Sequence, residues 1–476
     1  MNEMQFSVAT PEEMGVASEA ISRTLDYLSE RRVPLHSLLI MRHNALICEG
    51  YAAPYTEKTL HRMYSETKSL VSLAIGIMCA KGYLNLTDKI VDHFAEEIPF
   101  GGPSPELARL TIRDMLKMET PYNGTTYKRR PTKDWVGSFF RARADHNPGS
   151  LFYYDTSSTH VLCALVEKYT HKSMLDMLRQ EVLDKIGFSA DSYCLKDPKG
   201  VSQGGSGLMA TPRDMMALLY LIAQGGIWDG QQLLPREYLQ EATSFQVDTT
   251  ENGGRNGWDF AQGYGYQFWR LTHNAWCMYG MGGQFSICLP EQDMLIVTTA
   301  DTQGLLGGEQ TMLDALWNCL LPGVCETPLA PNASACAALN RRLTAMALPC
   351  VANLTEAGGR NCTAEAQMQP NAPGLTQVRL RLDALELCYG EKSCTLRFQA
   401  GGLAQGYLWD DPTIPYTAAA GWRAPDTLLL RVYLLGERLG NFSVQLHLTE
   451  AGVTLALTDH EEYQDSCFSG EAQGMR

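Results

Sequence analysis

Apolar positions recur along the chain with more than one period, and the changes of period divide it. Across residues 18–31 they fall at helical spacing (Ile21, Leu25, Leu28) behind a Ser18-Glu19 start, which predicts an amphipathic helix. Ser37-Leu38-Leu39-Ile40-Met41 and Ala45-Leu46-Ile47-Cys48-Glu49-Gly50-Tyr51 flank Arg42-His43-Asn44 and predict a β-hairpin. From Leu70 to Ala80 the chain is apolar almost all the way round, the pattern of a fully buried helix. Residues 84–187 read as helical and loop-rich. Strands return over residues 264–269, 284–289 and 293–298, with Pro290-Glu291 turning the last pair, and a helix follows over 308–321.

Past Pro322 the composition shifts. Residues 326–336 are rich in Ala, Pro and Asn, which suits a linker, and residues 349–373 also read as irregular. Period-two alternation then takes over: Val378, Leu380 and Leu382 opposite Arg379 and Arg381; Cys394, Leu396 and Phe398; Phe442, Val444, Leu446 and Leu448; Val453, Leu455 and Leu457. These are half-buried strands. A chain of 476 residues is too long for one ordinary core. The order helix, strands, helical block, strands, helix fits an antiparallel sheet built from both ends of its segment, with an all-helical subdomain inserted and a site at their junction. The expected fold class is therefore α+β, an antiparallel sheet flanked by helices with that insert, plus a C-terminal all-β domain. The expected boundaries are a first domain over 1–325, a linker region over 326–350 and the β domain over 351–476.

A formal charge of -14 argues against nucleic-acid and anionic-membrane partners, both of which need a positive surface. The 14 cysteines are spread thinly with no C-x-x-C pair, so we expect them reduced and mostly buried. The stretch Met1-Asn2-Glu3-Met4-Gln5-Phe6-Ser7-Val8 has no basic segment or apolar run of the signal-peptide kind, and no segment is apolar over the length of a bilayer. The expectation is a cytoplasmic protein, in which Asn-x-Ser/Thr triplets such as Asn353-Leu354-Thr355 carry no information. The ten histidines form no H-E-x-x-H pair, and no G-x-S-x-G elbow follows a strand, which disfavours a metallohydrolase and an α/β-hydrolase.

One charge stands out against this background. Lys68 lies in the first turn of the apolar helix, three residues after Ser65, so the two side chains share a face. A buried ammonium is costly unless it is paired or deprotonated. Lys68 either snorkels from the helix end into water or serves as the base of a serine nucleophile. A Ser-x-x-Lys spacing arises by chance about once in a chain of this length, so it needs support. Three stretches supply it in order: Pro148-Gly149-Ser150-Leu151-Phe152-Tyr153-Tyr154-Asp155-Thr156 before an apolar helix, Gly204-Gly205-Ser206-Gly207-Leu208-Met209-Ala210-Thr211-Pro212 before another, and Tyr279-Gly280-Met281-Gly282-Gly283-Gln284 before a strand. Each alone has a structural explanation, as a core tyrosine or a glycine turn; the ordered set carries the argument.

Together these stretches resemble the class C-like branch of the serine β-lactamase and penicillin-binding-protein superfamily, which includes esterases, D-aminopeptidases and 6-aminohexanoate-dimer hydrolases. The resemblance runs from about Pro11 to Leu321 and does not extend to the β domain. It implies that Ser65 is the acylated nucleophile, Lys68 its base and Tyr154 a proton shuttle, with Tyr154 selected over Tyr153 by the family's Pro-Gly-x-x-Phe-x-Tyr spacing. Gly280 falls on the glycine of the Lys-Thr-Gly-like strand motif, and the backbone N–H groups of Ser65 and Met281 would form the oxyanion hole. Thr156 replaces a frequent Asn, and Met278 stands where the motif has Lys or His. With Tyr279 and Gly280, these two complete the implied substrate-binding set. Met278 cannot meet a carboxylate, which argues against β-lactam hydrolysis and implies that Met278→Lys would raise it. Tyr122, Tyr127, Trp135, Phe139 and Phe140 would roof the cleft or build the insert's own core, core being expected for at least half of them.

The expected activity is hydrolysis of a small ester or amide through a Ser65 acyl-enzyme, with Lys68 and Tyr154 as the acid-base pair. No metal or organic cofactor and no nucleic-acid or membrane partner is expected. The alternative is a non-catalytic ligand-binding or sensor relative; the presence of Ser65, Lys68 and Tyr154 together favours the enzyme.

Overall fold

A computed structural model of the chain describes residues 6–254, 257–354, 363–461 and 466–475. It falls into two units, Met1–Thr302 with Leu306–Met346 and Gln303–Leu305 with Ala347–Arg476.

In the first unit the amphipathic helix α1 (Ser18–Glu30) precedes the hairpin of β1 (Leu35–Arg42) and β2 (Ala45–Tyr51), turned by His43 and Asn44 with φ of 49° and 63°. The apolar helix α2 (Thr67–Ala80) comes next, then the helical block that contains α3 (Thr156–Thr170), and α4 (Pro212–Ala223). Strands β3 (Trp276–Gly280), β4 (Gln284–Leu289) and β5 (Met294–Ala300) return to the sheet before α5 (Gly308–Ala315). The seven-stranded sheet runs Ser7–Val8, β2, β1, β5, β4, β3, Trp269–Arg270. β5 pairs antiparallel with β1, Ile296 opposite Ile40, so the two ends of the segment meet in the middle of the sheet. Leu70, Leu73 and Ala74 of α2, Leu162 and Leu165 of α3, Leu218 of α4, and Met278 and Val297 of the sheet share one core. Each of the leucine, methionine and valine side chains contributes on the order of 1.5–3 kcal/mol by burial, so α2 is fixed between the sheet and the helical block.

Several sequence expectations are corrected. Residues 264–269 are not a strand: only Trp269–Arg270 pairs with β3, and Gln267 adopts a left-handed φ of 67°. Its buried amide donates to the carbonyls of Met115 and Leu116 and accepts from Thr159, while its own carbonyl accepts from Ser69, so it plugs into the helical block. Alternating aromatics there mark a chain buried on all sides. The region expected as linker holds helix α6 (Ala333–Thr344), whose N-terminus is capped by the Asn332 side chain. Its run of alanines has high helix propensity, Leu339 and Leu343 are buried, Arg342 pairs with Asp26 of α1 at 2.5 Å, and a β-carbon on Gly50 would stand 2.7 Å from Leu343. The first unit thus reaches Met346, whose carbonyl accepts from Ala53. The cysteines of the described residues are free, but Cys325 and Cys350 are exposed.

The second unit is all-β, an eleven-stranded, largely antiparallel sheet. Its first strand, Ala364–Met368, lies inside the stretch expected to be irregular; residues 355–362 lie outside the described ones. Leu382, read as part of an alternating strand, sits past the end of Gln377–Leu380 and is exposed. The Tyr416 hydroxyl donates to the Thr395 carbonyl and accepts from Arg397 N, joining Lys392–Arg397 to Pro415–Ala424 and giving a barrel-like closure. No helix among the described residues is long and apolar enough to cross a membrane.

Candidate active site

The head of α2 is held by a short strand pairing. His61 and Arg62 lie opposite Ala210 and Met209, Met63 N donates to the Leu208 carbonyl, and Leu208 N donates to Thr67 Oγ1, which itself donates to the Tyr64 carbonyl at 2.6 Å. Tyr64 is buried with φ of 44°, an uncommon backbone state for a residue with a side chain, and the Arg62 guanidinium lies 4.5 Å from its ring centre. This strained turn delivers Ser65, which is half-buried, one residue later.

Lys68 is 1% exposed. Its Nζ donates to Ser65 Oγ at 2.8 Å and to the Gly205 carbonyl at 2.6 Å, so the amine does not reach into water. Gly205 is placed by close approach: a β-carbon there would meet Thr156 Cγ2 at 2.2 Å, and one on Gly204 would meet Cys163 Cβ at 2.4 Å. Glycines let this loop lie against α3. Thr156 therefore touches the loop that holds Lys68. The Asp155 side chain caps α3 by accepting from Ser157 N, and desolvation pushes its carboxyl up to about 6. Tyr154, just before it, is half-buried with its ring centre 4.9 Å from Lys68 Nζ and stacked on Trp269. Burial pushes the Tyr154 phenol above its ordinary range, and a hydrogen bond with Ser65 opposes that shift. Tyr153, by contrast, lies across the loop near Gly124.

On the sheet side, Gly280 packs on the Met63 carbonyl, Met281 is half-buried, and Tyr279 is half-buried with its ring stacked on Phe285. Tyr279 also has a hydrogen bond with Glu309, and its phenol is raised by burial first and by that carboxylate second. Met278 is not brought to the site: its side chain points the other way, into the α2 core, with no exposed surface. Strand alternation would have revealed this, since Trp276 and Met278 share the core face. Of the five aromatics expected either to roof the cleft or to build the insert's core, Tyr122, Phe139 and Phe140 are core residues, in line with core for at least half, and Tyr127 stacks on Trp135. Two clefts of about 610 and 640 Å³ share Met41, Asn44, Gln224 and Ile227 and contain none of the site residues, so chemistry, not cavity size, locates the site.

Glu66 was not singled out by the sequence. It is 1% exposed, faces Cys277 and Ser286 of the sheet, and its Oε1 has no hydrogen-bond partner among the described residues. Desolvation raises its carboxyl to about 8, with a weaker lowering from Ser286.

The sequence matches the profile of the family described as Beta-lactamase over residues 21–317, more than half of the chain. The chain belongs to the Beta-lactamase family. Among its relatives, the 6-aminohexanoate-dimer hydrolase of Paenarthrobacter ureafaciens is 22% identical over 315 residues, which cover 61% of this chain and 79% of that protein. A family VIII carboxylesterase has a similar structure, with a TM-score of 0.51 at 14% identity, covering 67% of this chain and all (100%) of that one. EstCE1, a hydrolase with promiscuous acyltransferase activity, matches with a TM-score of 0.51 at 16% identity over 63% of this chain and 98% of its own. At these identities the structural matches establish a shared Beta-lactamase-family fold.

Proposed function

We propose that this protein is a serine hydrolase that cleaves a small ester or amide through an acyl-enzyme on Ser65. The observation that carries the reading is the contact of Lys68 Nζ with Ser65 Oγ at 2.8 Å in a position where the amine is almost wholly removed from water. A serine hydroxyl is a poor nucleophile until a base takes its proton. Tyr154 keeps its own proton at neutral pH, because burial raises the phenol, so the base role falls to Lys68 in its neutral form, accepting along the line of the existing hydrogen bond.

Ser65 Oγ would attack the substrate carbonyl carbon as its proton passes to Lys68. The negative charge on the carbonyl oxygen would be met by the N–H groups of Ser65 and Met281, donors that need no reorganisation. Collapse of the tetrahedral species breaks the bond to the alcohol or amine, which takes a proton from Lys68 by way of Tyr154. Water then repeats the sequence on the acyl-enzyme and releases the acid. Thr156 and Tyr279 would shape the cleft, Thr156 through the Gly205 loop and Tyr279 as an aromatic wall beside Gly280. The names of the relatives, a 6-aminohexanoate-dimer hydrolase and a family VIII carboxylesterase, support an ester or amide as substrate.

Turnover of p-nitrophenyl acetate by the wild type and by Ser65→Ala tests the reading. A pre-steady-state burst of one equivalent in the wild type and none in the variant is expected; equal turnover in both would exclude it.

A further inference from the structure

The turn between β3 and β4 carries Met281, and three successive carbonyls of that turn are tied to β4, to β5 and to the residues after it. Met281 O accepts Gln284 Nε2 at 2.7 Å, Gly282 O accepts Thr302 N at 3.0 Å, and Gly283 O accepts Thr298 Oγ1 at 3.0 Å. Gln284 is fully buried and has every polar atom engaged: Nε2 donates a second time, to Ala300 O at 2.9 Å, and Oε1 accepts Ala300 N at 3.0 Å. Its carboxamide thus serves as an extra peptide group and continues the β4–β5 ladder beyond the last backbone pair, Phe285 opposite Thr298.

The fit is close. Gly282 and Gly283 have φ of 87° and 95°, and a β-carbon on Gly282 would come within 3.1 Å of Gln284 Nε2. Two adjacent glycines have wide conformational freedom, so something outside the backbone has to fix the turn. On the other side of Met281, Gly280 is pressed against the Met63 carbonyl, two residues before Ser65. The Met281 peptide therefore lies between a fixed point next to the nucleophile and a fixed point made by the Gln284 side chain.

We propose that Gln284 is a positioning residue that sets the Met281 N–H as an oxyanion donor, and that it does so through the bond from Nε2 to the Met281 carbonyl. The inference rests on the reading of Ser65 as the acylated nucleophile. Gln284 touches neither substrate nor Ser65; it acts by holding the donor. Glutamate cannot replace it when ionised, because a carboxylate oxygen would face the carbonyl oxygens of Met281 and Ala300.

The test uses Gln284→Glu and Gln284→Met on the full chain, with an aryl ester as substrate. For both variants kcat is expected to fall about 10- to 100-fold with KM changed by less than about threefold, the size of effect of a displaced oxyanion donor. Gln284→Met is expected to keep the wild-type pH profile, because Ser65, Lys68 and Tyr154 are untouched. Gln284→Glu is expected to regain rate relative to wild type as pH is lowered, since a protonated carboxyl again donates one hydrogen. Should Gln284→Glu not fold, Gln284→Met carries the kinetic test alone. Wild-type kcat in a folded variant, or a loss of kcat fully accounted for by the unfolded fraction at the assay temperature, overturns the proposal. If wild-type Ser65 is acylated and the variants are unimpaired, only the role of Gln284 falls; if wild-type Ser65 is not acylated, both readings fall.

Discussion

A β-carbon added to Gly280 would stand 2.1 Å from the carbonyl oxygen of Met63. The strand that carries Gly280 and the turn that carries Ser65 are thus in direct contact, backbone to backbone, and only glycine permits it. Gly280→Ala is expected to push the two apart, lowering kcat for an aryl ester by about 100-fold or more, as about 1 Å of misplacement does. Steady-state kinetics with a thermal scan checks this; wild-type kcat would contradict it.

Lys68 and Tyr154 are expected to fail differently. Lys68→Ala removes the proposed base and should cost about 10²- to 10⁴-fold in kcat for any substrate. Tyr154→Phe keeps the ring stacked on Trp269 but removes the hydroxyl beside Ser65. Its cost should be small for an aryl ester, whose leaving group departs without a proton, and large for an anilide. Kinetics with a matched ester and anilide pair decides; equal losses on both would remove Tyr154 from leaving-group protonation.

Glu66 makes stability depend on pH. Its ordinary value of 4.5 is raised to about 8 in the fold, so the folded chain binds more protons than the unfolded one between those limits. Its contribution is intact below about 4.5, is lost as pH rises toward 8 and is constant above, with a slope of up to about 1.4 kcal/mol per pH unit. Glu66→Gln is therefore expected to raise Tm relative to wild type by an amount that grows between pH 5 and 8 and vanishes near pH 4. Thermal scans across that range check it; a gain independent of pH would show that Glu66 is not the group responsible.

Met278→Lys, which the family resemblance made a route to β-lactam binding, is now expected to destabilise. The side chain lies in the core with Leu70 and Val297 and has no exposed surface. An ammonium placed there is desolvated without a partner. A lower Tm without gain in penicillin turnover is expected; a stable variant that hydrolyses penicillin faster would return Met278 to the cleft.

Much of this arrangement was legible in the sequence, for identifiable reasons. The hairpin of β1 and β2 and the helix α2 have single, strong periodicities, and an apolar helix with a lysine in its first turn demanded a partner for the charge. That Ser65 and Lys68 share a helix face followed from i, i+3 spacing, and the ordered motifs after them, through the family resemblance, gave the pair its implied role. What stayed hidden depends on long-range contact. Gly205 accepts from Lys68 across 137 positions of sequence, and Gln284 reaches Ala300 across a strand turn. The strain at Tyr64 has no local signature, since nothing in Met63-Tyr64-Ser65 asks for a positive φ. Composition is ambiguous at two places: the buried aromatics around Gln267 mimic a strand, and the Ala-rich stretch after Asn332 has the look of a linker although alanine is the best helix former.

The central claim is that Ser65 is the acylated residue, and intact-mass analysis with peptide mapping after reaction with a fluorophosphonate tests it most directly. One adduct per chain on the peptide containing Ser65, absent in Ser65→Ala and slowed in Lys68→Ala, is the predicted result. An adduct on another serine, or undiminished labelling of Ser65→Ala, would contradict the account.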